Sequence, residues 1–155
     1  MCRSMISQDP GSDRFMVAEY TPGKIYSFRP NDPTGQKDLF LDMKRGISAF
    51  SFHPKYTENG YVFVFSHLDP KVKGPQLSRV SRFQLEPGSN PPRLRPESET
   101  IIVEWPASGH NGGEAIIGPD GYLYIIGGSL AFPRLIAVEQ HLPFVVYDDG
   151  IEQVR

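Results

Sequence analysis

The chain has 155 residues, enough for one ordinary domain, and its 39% hydrophobic and 22% charged residues are typical of a folded globular protein. A formal net charge of −2 provides no electrostatic basis for binding nucleic acid or an anionic membrane, so neither is expected as a partner. No stretch approaches the roughly 20 apolar residues that a membrane-spanning helix needs. Glycine and proline, 15 residues each, favour short strands joined by tight turns and argue against a helical bundle.

The N-terminus and the cysteine content leave the cellular compartment open. Cys2 is the single cysteine, so neither an intrachain disulfide nor a cysteine-ligated metal cluster is expected. Residues 1–13 contain no apolar core and no small-residue cleavage site, so they do not form a recognisable signal peptide. We interpret them as an N-terminal extension.

The first half of the chain reads as short strands separated by turn residues. A Pro-Gly pair at 22–23 lies between two apolar runs and predicts a hairpin. A compact apolar run ends at His53-Pro54, and Asn59-Gly60 precedes the strongest strand of the sequence. Strands are predicted here over 14–20, 24–29, 47–52 and 61–66.

The second half continues the same pattern up to residue 128. Strands are predicted over 78–85, 99–105, 114–117 and 122–126, the last two as a hairpin around Gly118-Pro-Asp-Gly121. Residues 86–98 contain four prolines and are therefore expected to be loop. Strands at intervals of this size, with turns between them, indicate an all-β sandwich, barrel or propeller.

A weak internal repeat favours the propeller. Residues 52–64 and 117–125 both read as apolar strand, proline-containing turn, glycine, aromatic residue and a second apolar strand. Their separation of about 60 residues exceeds the usual length of a propeller blade, and the long loops at 69–76 and 86–98 account for the excess. The alternative is that two unrelated β-hairpins happen to look alike.

Three segments, in this order, resemble the soluble quinoprotein glucose/sorbosone dehydrogenase family. They are RFMVAEYTPGKI at 14–25, GISAFSFHPKYTENGYVFV at 46–64 and HNGGEAIIGPDGYLYI at 110–125. The resemblance implies a six-bladed β-propeller that binds pyrroloquinoline quinone (PQQ), often with calcium. It also implies oxidation of an aldose or related sugar aldehyde, an external electron acceptor, and a periplasmic or secreted location.

The same resemblance implies a set of site residues. His110 matches the family's general base, which takes the proton of the substrate hydroxyl, and an imidazole suits that role near neutral pH. Gly112 and Gly113 would allow the backbone to approach a flat cofactor, and Asn111 can both donate and accept hydrogen bonds there. Lys44 could meet a carboxylate of PQQ. The metal ligands stay unknown.

Each of these residues also has an ordinary structural interpretation. His110 could be a loop histidine without a role, and Lys44 a solvated loop charge. His53 is interpreted as structural, closing a turn, whereas His67 and His141 have no context that points to a function.

The resemblance covers residues 14–128, which we interpret as a partial propeller of two to three blades. Residues 129–155 match nothing in the family and are treated as a separate C-terminal tail. Because a closed propeller needs all its blades, the chain alone is expected to be partly active or inactive. The alternative function is a non-catalytic propeller module that binds a partner or self-associates, and a calcium-dependent lactonase-type propeller ranks last.

Overall fold

The computed structural model describes residues 4–33, 35–67, 77–106, 112–127, 134–138 and 145–147. These residues form twelve strands and one short helix, which confirms the all-β expectation. In chain order the elements are β1 (Ser4–Gln8), β2 (Phe15–Glu19), β3 (Lys24–Phe28), β4 (Asp38–Asp42), β5 (Gly46–Phe52), α1 (Tyr56–Asn59), β6 (Tyr61–His67), β7 (Leu77–Leu85), β8 (Leu94–Pro106), β9 (Gly113–Ile117), β10 (Leu123–Gly127), β11 (Arg134–Val138) and β12 (Val145–Tyr147).

The strands form three four-stranded antiparallel sheets, each built from four consecutive strands. The first sheet contains β1–β4, the second β5–β8 and the third β9–β12. The first strands of successive sheets lie beside one another, since β1 contacts β5 and β5 contacts β9. Consecutive meanders whose first strands meet in this way are the blades of a β-propeller, and three of them agree with the expected number.

The second sheet is buried on both faces, which explains the continuous apolar run of β6. Val62 and Val64 pack against the first sheet, whereas Phe63 and Phe65 pack with the third. Successive side chains of a strand point to opposite faces, so a sheet covered on both sides needs apolar residues at every position. The core therefore consists of two layers between blades.

The first strands of the second and third sheets run in the same direction. The Ser51 hydroxyl of β5 donates a hydrogen bond to the carbonyl of Ala115 in β9. Two residues earlier in each strand, Gly113 lies against the ring of Phe65, which is paired with Ala49. The beginnings of β5 and β9 therefore lie at the same end of the propeller, which we call the entry rim.

The expectation that residues 86–98 are loop throughout is wrong for the last five of them. β8 begins at Leu94 and includes Pro96. Proline removes a ladder donor, but β8 is the edge strand of its sheet and its pairing with β7 is interrupted by register shifts, where a missing donor is tolerated. The strands β1, β4, β11 and β12 and the helix α1 were not predicted.

The internal repeat corresponds to structural equivalence. Residues 52–64 join the first and second strands of the second sheet, and 117–125 do the same in the third. The first sheet contains a further copy of this pattern, which the sequence analysis missed. Its strands β1 and β2 are joined by a connection that begins Asp9-Pro10-Gly11, and the apolar run of β2 starts at Phe15.

The division of the chain at residues 13/14 and 128/129 stays a prediction. We note that β1 lies within the predicted extension and pairs with β2. Likewise, β11 and β12 lie within the predicted tail and continue the third sheet from β10. In the part of the chain that the structure describes, no helix is long and apolar enough to cross a membrane.

Candidate functional site

The candidate site lies at the entry rim, where β5 and β9 begin, and these strands belong to two of the three family-like segments. Lys44 lies two residues before β5, and Gly112 immediately precedes β9. His110 and Asn111 lie outside the described residues, so their predicted roles stay predictions.

Lys44 occupies an unusual backbone position in the turn between β4 and β5. Its φ of 54° makes it the one non-glycine residue with positive φ among those described. Its N–H donates to the Asp42 carboxylate at 3.1 Å, which holds the turn. The side chain is exposed, and across the described ranges its ammonium has no carboxylate partner. A strained residue that presents a free cation at a rim is a candidate for binding an anion.

Gly113 is explained by packing between blades. A Cβ at this position would lie 2.0 Å from Cε1 of Phe65 and 2.1 Å from the carbonyl oxygen of Ile126. Its backbone therefore presses on the second sheet where any side chain would collide. This requirement exists without a cofactor, and cofactor contact at Gly112 and Gly113 stays a prediction.

Arg45, next to Lys44, is bound to the protein and is not available for a ligand. Its guanidinium forms an ion pair with Glu99, and its Nε donates to Ser66 Oγ at 3.1 Å. Glu99 also accepts from Ser81 Oγ at 2.7 Å and lies 3.6 Å from Arg79. Desolvation raises the pKa of Glu99, but the hydrogen bonds and charges of its partners outweigh it and leave the pKa below its usual value.

A buried histidine at the same rim was given no role in the sequence analysis. His67 ends β6 opposite Gly46, and its ring hydrogen-bonds with Ser48 Oγ through Nε2 and with Ser78 Oγ through Nδ1 at 3.1 Å. It is 5% exposed, and burial lowers the pKa of the imidazole to about 4. His67 is therefore neutral at physiological pH, with both nitrogens held by hydroxyl groups.

Ser48 reaches His67 because β5 has a bulge at this residue. The pairing of β5 with β6 shifts between Ile47 and Ala49, which leaves Ser48 outside the regular ladder. Bulges commonly redirect a side chain next to a site. No local pattern in the sequence signals this, since the three members of the Ser48–His67–Ser78 chain come from three strands.

His53 has the structural role that was expected for it. Its Nδ1 accepts hydrogen bonds from the backbone of Lys55 at 2.9 Å and from the Asn59 side chain at 3.0 Å, which closes the turn that begins α1. His141 falls outside the described residues. Where the structure describes the chain, no three His, Cys, Asp or Glu side chains converge as metal ligands.

Comparison with known proteins places this geometry among propeller proteins. No family model matches the chain. The structure aligns with a protein of Thermus thermophilus assigned as an oxidoreductase (glucose dehydrogenase), with a TM-score of 0.59 and 19% identity over 83% of this chain and 40% of that one. The chain thus has a glucose dehydrogenase-type β-propeller fold, which confirms at the level of fold the resemblance found in the sequence.

The proteins that are similar in sequence differ from this structural neighbour in name and in length of match. The chain is 24% identical over 175 residues to the HIPL2 protein of Arabidopsis thaliana, covering 81% of this chain and 25% of the relative. It is 32% identical over 91 residues to the Hedgehog-interacting protein of Mus musculus, covering 55% of this chain and 13% of the relative. The chain therefore spans about a quarter or less of the curated relatives it matches.

Proposed function

We propose that the chain forms part of a PQQ-dependent propeller enzyme that oxidises an aldose or related sugar aldehyde at the entry rim. The observation that supports the proposal is the parallel course of β5 and β9, which brings Lys44, shortly before β5, and Gly112, next to β9, to one rim. Binding residues in proteins lie disproportionately on loops held by a rigid scaffold, and the turn before β5 presents Lys44 in this way.

Each predicted residue has a role in this proposal. His110 accepts the proton of the substrate's anomeric hydroxyl, and Asn111 orients the reacting groups by hydrogen bonds. Lys44 holds a cofactor carboxylate. Gly112 and Gly113 have no side chains, so a planar ring can approach the backbone at these two residues. When bound, PQQ would supply the redox chemistry as the acceptor of the substrate's hydride, whose two electrons would later pass to an external acceptor.

The described rim is compatible with one edge of such a cofactor. The Lys44 ammonium is exposed and lacks a carboxylate partner among the described residues, so it is available to a ligand carboxylate. Arg45 is not, because Glu99 and Ser66 already hold it. The same proposal includes calcium at the cofactor and a periplasmic or secreted location.

A titration of the full chain with PQQ in the presence of calcium tests the proposal directly. We expect saturable binding, which Lys44→Met weakens by about tenfold because an ionic contact to a carboxylate is lost. Lys55→Met is the matched control, since Lys55 is an exposed lysine at the far end of β5 and should bind PQQ like the unchanged protein.

Dye-linked oxidation of a panel of aldoses then tests His110. His110→Ala should abolish turnover while leaving PQQ binding measurable, because the base is removed and the cofactor contacts remain. Absence of saturable PQQ binding, or equal losses in Lys44→Met and Lys55→Met, would overturn the proposal for this chain.

A second candidate function is a non-catalytic propeller that binds protein, including further copies of itself. The similarity to the Hedgehog-interacting protein favours it. The outer faces of the first and third sheets also expose apolar side chains, with Ile6 65%, Ile116 46% and Ile126 51% exposed. Contiguous exposed apolar surface commonly marks an interaction site, and Ile116 and Ile126 lie on the same face of the third sheet.

Sedimentation velocity separates this second candidate from the enzyme. A binding module is expected to form concentration-dependent oligomers and to be indifferent to PQQ. Ile116→Ser should reduce its association, whereas Thr57→Ser, at an exposed position on α1, should not. A stable monomer that oxidises sugars would exclude the module.

A further inference from the structure

We propose that a cleft at the opposite end of the second sheet binds a small phosphate or sulfate monoester. The cleft has a volume of about 330 Å³ and is lined by Tyr61, Arg82, Gln84, Arg95, Glu97, Ser98 and Thr100. β6 begins at Tyr61 and reaches the entry rim at His67, so seven residues of strand, or about 20 Å, separate the cleft from the candidate site.

The cleft exists because β8 bulges away from β7. Arg82 pairs with Thr100 and Gln84 with Arg95, so β8 advances five residues where β7 advances two. The surplus contains Pro96, which cannot donate to a ladder, and Ser98, which holds the bulge. Ser98 Oγ accepts from the Gln84 N–H at 2.9 Å and donates to the Arg95 carbonyl at 2.6 Å.

The two guanidinium groups of the cleft are positioned without a carboxylate. Arg82 stacks over the Tyr61 ring with its Cζ 4.3 Å from the centroid. Arg95 donates through one terminal nitrogen to Gln84 Oε1 at 2.6 Å. Across the described ranges neither arginine forms an ion pair, in contrast to Arg14, Arg29, Arg45 and Arg79.

Arg95 also has a donor that lacks an acceptor. Its Nε is buried and makes no hydrogen bond within the described part of the protein. A buried guanidinium N–H without a partner is costly, and an oxyanion seated in the cleft would satisfy it. Because no described residue accepts from this nitrogen, Arg95 keeps a donor for a ligand of the cleft.

The charges and shape select the class of ligand. Two arginines against Glu97 leave a net positive charge, and a planar guanidinium fork matches the oxygens of phosphate or sulfate. The volume exceeds that of an inorganic anion and leaves room for an attached group against Thr100 and Ser98, which offer hydroxyls. A monoester satisfies both conditions.

The experiment is an NMR titration of the full chain at constant ionic strength with inorganic phosphate, inorganic sulfate and glucose 6-phosphate. We expect saturable shifts of the Arg95 Nε–H signal, with the ester binding tighter than either inorganic ion. Equal affinities for ester and inorganic phosphate would overturn the monoester assignment and identify the free oxyanion as the ligand that the two arginines recognise.

Variants distinguish specific binding in the cleft from general attraction of anions by positive charge. Arg82→Gln and Arg95→Gln should each weaken binding by about tenfold, and Glu97→Gln should strengthen it by about threefold because a repelling charge is removed. Arg93→Gln removes the same charge from an exposed residue nearby that does not line the cleft, and should leave affinity within about twofold.

Two further outcomes would overturn the proposal. One is the absence of saturation by all three probes up to about 20 mM, a concentration at which even a weak oxyanion site fills. The other is a loss in Arg93→Gln equal to that in Arg82→Gln. If Arg95→Gln fails to fold, Arg82→Gln and Glu97→Gln still decide, since their opposite signs are not expected of a purely structural role.

Discussion

At the residue scale, the rim combines positions required by packing with positions that packing does not explain. Gly113 belongs to the first kind, because its backbone touches Phe65 and Ile126. Lys44 belongs to the second, because it adopts a positive φ and presents an exposed ammonium without a carboxylate partner in the described ranges. A substitution at Gly113 therefore reports on folding, whereas one at Lys44 tests the proposed contact with a ligand.

Gly113→Ala is expected to lower the free energy of unfolding by about 3 kcal/mol, because the added Cβ overlaps atoms of two neighbouring strands. Urea denaturation without any cofactor measures this. Gly11→Ala is the control, since its nearest atoms would be 3.5 Å away, and it should change stability by less than about 1 kcal/mol. Equal stability of both variants would contradict the packing explanation of Gly113.

His67 makes the stability of the fold depend on pH. Its pKa is about 4 in the folded chain and about 6.5 when unfolded, so the unfolded state binds the proton first as pH falls. Protonation therefore favours unfolding below about pH 6.5, and His67 should account for a loss of about 2 kcal/mol between about pH 7 and pH 5.

The variant His67→Gln tests this assignment, because it retains a hydrogen-bonding side chain but cannot titrate. Denaturation curves at both pH values should show a smaller loss of stability in the variant than in the unchanged protein. An identical loss in the two proteins would assign the pH dependence to other groups.

At the scale of elements, irregular pairing in β5 and β8 shapes both ends of the second sheet. The bulge at Ser48 points its hydroxyl to His67, and the bulge around Pro96 opens the cleft between Arg82 and Arg95. In regular ladders, Ser48 of β5 and the cleft residues of β8 would each lie opposite a partner residue on the neighbouring strand. The Ser48–His67 hydrogen bond and the cleft therefore depend on two departures from regular strand pairing.

The Arg45–Glu99 ion pair ties the β4–β5 turn to the edge strand of the second sheet. Glu99→Gln should lower the free energy of unfolding by about 2 kcal/mol, because Arg45 would keep its charge in a half-buried position without a counterion. Asp13→Asn breaks the exposed pair with Arg29 and should cost less than about 0.5 kcal/mol. Thermal or urea unfolding of both variants provides the comparison, and equal costs would contradict the buried role of Glu99.

At the scale of the whole molecule, stability resides between blades as much as within them. One apolar layer joins the first and second sheets and contains Met16 and Val64. The other joins the second and third sheets and contains Phe65 and Ile125. A change in one layer is expected to loosen one pair of blades before the other.

Phe65→Ala and Met16→Ala form a matched pair for this expectation. Each should cost about 3 to 4 kcal/mol, since both side chains are almost fully buried. In hydrogen exchange, Phe65→Ala should reduce protection of residues 113–127 more than of 15–28, and Met16→Ala the reverse. Uniform loss of protection in both variants would show that the blades unfold as one unit.

The sequence by itself determined the class of fold and the order of most strands. Alternating apolar residues, Pro-Gly and Asn-Gly turns and the repeat of 52–64 in 117–125 are local signals, and the structure confirms the strands they predict. The family-like segments also indicated the fold that structural comparison confirms. The predictions for His110, Asn111, PQQ and calcium remain open.

Only the tertiary structure decided which side chains meet. The chain Ser48–His67–Ser78 and the cleft between Arg82 and Arg95 each join residues from different strands. Their meeting depends on register and on bulges, which are set by pairing between distant segments and by packing of one blade on the next. Periodicity in the sequence reports the face of a strand, but the identity of its neighbours follows only from long-range pairing.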